Sequence, residues 1–256
     1  MSLIVRKLSV PLGECHIVED ASLTVEPGNL TGLIGANGAG KSTLMRAIAG
    51  LLPDAKGEVR LDDITTASLT PRQLAHRLAY LPQGQQVDWS LTVRDVVGLG
   101  RFPFQGRFGR PSAEDRAIVE DTIGRLGLSA IAERAATSLS GGERALVLLG
   151  RALAARTPYL FADEPTAALD PARQLEVIDL LSAEAKSGKG ILVVLHDLNL
   201  ASRYLDQVIV MHRGRIIADG PPAEVLCEDT LQTAYGITPL TGESDGQRWL
   251  IPWRRT

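Results

Sequence analysis

Residues 35–43 read Gly-Ala-Asn-Gly-Ala-Gly-Lys-Ser-Thr, and no other stretch says as much about the fold. Gly35, Gly40, Lys41 and Ser42 stand at the spacing G-x-x-x-x-G-K-[ST] of a phosphate-binding loop, or P-loop. The context fits. Apolar Leu30–Ile34 reads as a short strand before the loop, Ser42–Ala49 as a helix after it, and Gly50 falls where a helix C-cap is expected. Glycines let the backbone N–H groups along Gly35, Ala36, Asn37, Gly38, Ala39, Gly40, Lys41, Ser42 and Thr43 turn inward around a phosphate chain. The helix N-terminus adds partial positive charge aimed at the same point. Lys41 is then expected to reach the terminal phosphates and the Ser42 hydroxyl to ligate Mg2+. A glycine-rich turn before an ordinary helix is the competing reading, and the simultaneous match at so many positions disfavours it.

The 256 residues can bury a substantial core as one large domain or two small ones. Apolar content of 45% and charged content of 22% are those of an ordinary globular chain. A net charge of −3 implies no general attraction to nucleic acid or anionic lipid. The small arginine cluster Arg101, Arg107 and Arg110 reads as solvated loop charge. Cys15 and Cys227 lack metal-ligand spacing and read as buried small apolar residues in a reducing compartment. No apolar run approaches the ~20 residues of a spanning helix. The opening residues also lack the layout of a secretory signal. The expectation is a cytoplasmic protein that meets a membrane only through a partner.

Short β-like runs dominate the first part: Leu3–Val5, Ser22–Val25, Leu30–Ile34 and Glu58–Leu61, separated by turn formers. From about residue 88 to 136 the pattern turns helical, with Val93–Leu99, a Gly/Arg/Phe loop and Glu114–Leu126. Strand character returns at Tyr159–Ala162, Ile191–Leu195 and Gln207–Met211, with helices Glu143–Ala155 and Pro171–Ala185 between. Strands alternating with helices argue a parallel sheet covered on both faces. The helical segment thus reads as an insertion into an α/β core. In the tail, Thr238–Thr256, a hairpin is expected around Asp245-Gly246, with Trp249 and Trp253 nearby and its role that of packing on the core.

Tyr159–Ala162 ends in Asp163-Glu164. A P-loop enzyme needs a carboxylate at a strand end to hold Mg2+, and Asp163 fits. Glu164 would sit nearer the terminal phosphate, where a base polarises the attacking water. His196 follows the next apolar strand and suits a phosphate-sensing role. Gln83 lies where the core gives way to the helical insertion; its neutral amide can ligate Mg2+ or position water. Leu139-Ser140-Gly141-Gly142-Glu143 opens a second helix, so Ser140, Gly141 and Gly142 offer bare N–H groups at a second helix N-terminus. Two glycine-rich helix starts and one set of acids suggest that the second start serves a nucleotide bound by another copy.

Taken in order, these motifs resemble the nucleotide-binding subunit of an ATP-binding cassette (ABC) transporter. Walker A lies at 35–43, the Q-loop at Gln83, the LSGG signature at 139–142 and Walker B with its glutamate at 159–164. The D-loop follows at Thr166–Asp170 and the switch histidine at His196. The resemblance implies a P-loop NTPase (RecA-like) α/β fold with an N-terminal antiparallel β subdomain and an inserted α-helical subdomain. It divides one ATPase domain into a core of residues 1–87 and 137–236, a helical subdomain 88–136 and a tail 237–256. It implies ATP and Mg2+ as cofactors, with Glu164, His196 and Gln83 catalytic and with Ser42, Gln83 and Asp163 as metal ligands. It also implies a head-to-tail homodimer, in which Lys41, Asp163, Glu164 and His196 of one copy face Ser140 and Gly142 of the other. Permease subunits in the membrane and, indirectly, a substrate-binding protein would be the partners, with no nucleic acid. The place would be the cytoplasmic face of the inner membrane, held peripherally.

Leu91–Pro103 is similar to ATPases serving iron–siderophore, haem and cobalamin uptake. An importer of another cargo, such as a metal ion, and a soluble cassette acting outside transport are the alternatives. Two departures from the family pattern stand out. No Phe, Tyr or Trp precedes Tyr80, so the usual adenine stack near Leu12 is missing or is replaced by His16. Glu143-Arg144-Ala145-Leu146 stands where a Gln-rich segment commonly follows LSGG, which puts the usual ribose contacts in question.

Overall fold

The computed structural model of the chain describes residues 2–13, 15–84, 90–106, 109–244 and 246–255. It opens with β1 (Leu3–Leu12), β2 (Cys15–Val25), β3 (Leu30–Ile34), α1 (Lys41–Ile48), β4 (Lys56–Leu61) and β5 (Ile64–Thr65). Next come α2 (Pro71–Ala75), β6 (Leu78–Leu81), α3 (Val93–Gly98), α4 (Ala113–Arg125), α5 (Gly141–Ala154), β7 (Tyr159–Asp163) and α6 (Pro171–Lys186). The remainder holds β8 (Gly190–Val194), α7 (Leu198–Tyr204), β9 (Gln207–His212), β10 (Arg215–Gly220), α8 (Pro222–Val225), α9 (Glu228–Tyr235), β11 (Ile237–Ser244) and β12 (Gln247–Arg255). Two compact units result: Met1–Leu69 with Ile178–Thr256, and Thr70–Val177.

In the first unit β2, β1, β4 and β5 form an antiparallel sheet in that order. A second group has β3 between β8 and β9, all three parallel, with β10 antiparallel to β9. Every residue of β3 and β8 is buried. That is the pattern of strands covered on both faces, and it explains why they read as unbroken apolar runs. Leu44, Met45 and Ile48 give α1 its buried face, each worth about 1.5–3 kcal/mol when removed from water. The tail hairpin β11–β12 is present and packs on α7: Arg203 Nε donates to Gln247 Oε1 at 3.0 Å, and Leu250 is fully buried. Trp253 stays exposed, and the expected turn residue Asp245 lies outside the described residues.

The second unit pairs β6 with β7 in parallel and packs α3, α4 and α5 together. Helices α3, α4 and α5 each begin with a capping box, from Thr92, Ser112 and Ser140 respectively. The stretch expected as a loop after α3 contains 3₁₀ turns over Leu99–Phe104.

Arg101 is not solvated loop charge but 8% exposed. Its Nε donates to Asp115 Oδ1 at 2.8 Å, and one terminal nitrogen donates to the carbonyls of Ala154 and Ala155 at 3.1 and 3.0 Å. The carbonyls at the end of α5 need donors, and a buried guanidinium supplies them. Arg110 is exposed as expected, while Arg107 lies outside the described residues. Both cysteines are exposed rather than buried. Cys15 begins β2 beside the β1–β2 turn, and Cys227 is the N-cap residue of α9; both are element ends, where packing is thin.

Candidate nucleotide-binding site

Within the first unit, residues 35–43 leave the C-terminal end of β3, and His196 leaves that of β8. Register pairing of Leu33 with Val194 puts the two departures side by side. Crevices outside the carboxyl ends of parallel strands are where such folds bind ligands. Asn37 and Gly38 are exposed at the loop tip, while Gly35 and Ala39 are buried. His196 is exposed.

The start of α1 is unlike those of α3, α4 and α5. Its N-cap is Gly40, in the left-handed region at φ 100°, with no side-chain cap and no acid in the first turn. The helix N-terminus is therefore left to an external anion. Lys41 is buried, and its ammonium donates to the carbonyls of Gly35 at 2.7 Å and Ala36 at 3.1 Å. The loop is thus arched around its own lysine. Gly35 sits at φ 149°, and a Cβ there would meet the Met211 carbonyl oxygen at 2.2 Å, so only glycine fits. Its N–H, expected to face a phosphate, instead donates to the Tyr235 hydroxyl at 2.7 Å. Nothing in the local pattern of α9 signals this contact.

Within the second unit, Gln83 follows β6 and Asp163-Glu164 closes and follows β7. These strands pair in parallel, with Leu81 beside Ala162. Asp163 is buried, and the Tyr80 hydroxyl donates to its Oδ2 at 3.5 Å. Glu164 has φ 53°, rare for a residue with a side chain and a strained geometry found often at functional sites. Gln83 Nε2 donates to Glu164 Oε2 at 2.6 Å, so the structure brings together two residues that sequence spacing alone leaves 81 positions apart. Gln83, Asp163, Glu164, Gly141 and Arg144 line one cavity of about 380 Å³.

The second glycine-rich helix start is closed on itself. Ser140 Oγ accepts the Glu143 N–H at 3.2 Å, and the Glu143 carboxylate accepts the Ser140 N–H at 2.9 Å. The Ser140 backbone N–H, and then its hydroxyl, hold the Glu143 carboxyl below its usual range. Gly142 packs near the Ala168 carbonyl, which belongs to the D-loop segment. His16 lies exposed on β2, opposite Pro11.

A model of the ABC transporter family matches residues 18–167. The hemin import ATP-binding protein HmuV of Bordetella bronchiseptica is 43% identical over 246 residues, which cover 93% of each chain. The cobalamin import ATP-binding protein BtuD of Halobacterium salinarum is 40% identical over 249 residues, 94% of this chain and 62% of that one. Among solved structures, a dimeric ATP-binding cassette in a post-hydrolysis state with ADP and Pi matches at TM-score 0.76 and 27% identity. It covers 86% of this chain and 98% of that chain. The fold is the α/β P-loop NTPase type, with its antiparallel N-terminal sheet and helical insertion. This chain belongs to the ABC transporter family and is its ATP-hydrolysing, nucleotide-binding cassette.

Proposed function

We propose that the chain is the motor subunit of a haem importer, working as a head-to-tail homodimer beneath integral-membrane permease subunits. Its place is the cytoplasmic face of the cell membrane, and a substrate-binding protein delivers cargo on the other side. The observation that carries the catalytic part is Glu164: a carboxylate on strained backbone, next to buried Asp163 and held by the Gln83 amide at 2.6 Å. In this reading that group polarises the attacking water. The open start of α1 and the loop amides between Ala36 and Thr43 take the phosphates, while the Gly35 N–H stays on Tyr235 and Lys41 turns from the loop carbonyls to the terminal phosphates. The signature residues Ser140, Gly141 and Gly142 of one copy close over the nucleotide of the other, and His196 senses the terminal phosphate.

The Ser42 hydroxyl, the Asp163 carboxylate and the Gln83 amide oxygen are all hard oxygen donors, a set that suits Mg2+. When bound, that ion would neutralise charge building on the phosphates. We assign residues 1–256 to one cassette, with core 1–87 and 137–236, helical subdomain 88–136 and tail 237–256, and the permease docks on surface residues 88–115. Docking is supported by a groove of about 550 Å³ that includes Leu91, Leu99 and Phe102. Phe102 and Leu99 are both exposed along it, 69% and 44%, and adjoining exposed apolar side chains are what a docking surface presents.

The haem assignment rests on the 43% identical hemin relative; cobalamin is the second reading, favoured by the 40% identical one. The test is ATP turnover. Glu164→Gln is expected to slow hydrolysis by about a hundredfold or more, while ATP-driven dimerisation, read by light scattering, persists. Full turnover in that variant would remove Glu164 from the chemistry. For cargo, membranes carrying the co-purified permease should take up haem only with the unaltered chain; uptake of cobalamin alone would select the second reading.

A further inference from the structure

We propose that Tyr235 is a positioning residue for nucleotide binding: its phenol holds the first peptide of the glycine loop while Lys41 changes partners. The inference rests on the reading of residues 35–43 as the phosphate loop and adds a residue 200 positions away.

Both polar groups of Gly35 are engaged. Its carbonyl accepts from Lys41 at 2.7 Å and its N–H donates to the Tyr235 hydroxyl at 2.7 Å. Phosphate binding draws the ammonium away from Gly35 and Ala36, and the carbonyl bonds go with it. The Tyr235 bond then remains on the first loop peptide as a side-chain tie, beside the backbone pairing of Ile34 with Val210 of β9 and the Gly214 N–H on the Ala39 carbonyl at 3.0 Å, where Gly35 packs against the Met211 carbonyl without room for a Cβ.

Tyr235 is suited to that task by its own support. It is the last residue of α9, whose Leu231 and Ala234 are buried and which packs on β9. Gly236 ends the helix at φ 65°, its N–H donating to the Gln232 carbonyl at 2.8 Å. The ring therefore stands on a helix end anchored to the same strand that backs the loop. Burial pushes the phenol up to about 12, against the opposing donation from Gly35. The hydroxyl thus stays neutral and in place across the physiological range. A buried N–H left without an acceptor is costly, so removing the oxygen should loosen the loop even though the ring still fills its space.

The test uses the full chain with Tyr235→Phe, and Lys41→Ala beside it. ATP affinity by calorimetry is expected to fall about tenfold, the effect of one hydrogen bond. The loss should fall on the ATP concentration giving half-maximal rate, with the saturated rate within about twofold. Amide exchange in residues 35–41 should quicken while β9 exchange is unchanged. Affinity equal to that of the unaltered chain would overturn the proposal. So would an affinity loss matched by faster exchange throughout β9, since that marks Tyr235 as packing only. If Lys41→Ala itself leaves ATP binding intact, the phosphate-loop reading fails, and the role of Tyr235 fails with it. If Lys41→Ala abolishes binding and Tyr235→Phe does nothing, only the Tyr235 inference is lost.

Discussion

Arg101 shows how much one side chain can hold. It pairs with buried Asp115, donates to two carbonyls at the end of α5 and lies 4.1 Å from the Phe104 ring centre. Removing one partner of such a pair leaves a buried charge and typically costs about 3–5 kcal/mol. Arg101→Ala should therefore lower the urea midpoint strongly, whereas alanine at exposed Arg110 should leave it nearly unchanged. The pH dependence follows from Asp115. The Arg101 hydrogen bond holds its carboxyl below the ordinary 3.8, against the opposing effect of burial. The stability this adds is present above that ordinary value and is lost as pH falls through the lowered folded value. Thermal melts of the unaltered chain should drop below pH 4, and Asp115→Asn, less stable at pH 7, should show a shallower drop over the same window.

Two helix starts built from glycine and serine differ at the level of the element. That of α1 has no side-chain cap, so its N–H groups wait for an anion; that of α5 is closed by Ser140 and Glu143. The glycines before α1 are also unequal. A Cβ on Gly35 would meet the Met211 carbonyl at 2.2 Å, whereas one on Gly38 would meet nothing within 4 Å. Gly38→Ala should cost only its left-handed backbone penalty, about 1–2 kcal/mol, and keep measurable ATP binding. Gly35→Ala must displace the loop or β9, so it should abolish ATP binding and lower the melting temperature further. Calorimetric ATP titration with thermal melts of both variants checks the contrast.

For the whole molecule, the claim to test is that one nucleotide is clasped by two copies. Ser140→Arg spoils the closing surface and Lys41→Ala the gripping loop, so each homodimer should be inactive. Mixing them creates dimers with one intact clasp, and random pairing allows at most about a quarter of the full rate. No recovery, once native mass spectrometry shows that mixed dimers form, would count against the shared site. Much of this architecture is legible in the chain itself. The loop at 35–43, the buried apolar runs Leu30–Ile34 and Ile191–Leu195 and the acids after Tyr159–Ala162 announce themselves, because backbone conformation and two-sided burial leave local patterns in adjacent residues. Contacts that depend on what a distant segment brings close leave no such pattern. The Tyr235 phenol on Gly35, the Gln83 amide on Glu164 and the burial of Arg101 against the end of α5 arise from strand order and helix packing. The sequence determined which groups exist and what chemistry they can do. Only the tertiary structure decided which partners hold them in place, since a hydrogen bond depends on distance in space and is blind to separation along the chain.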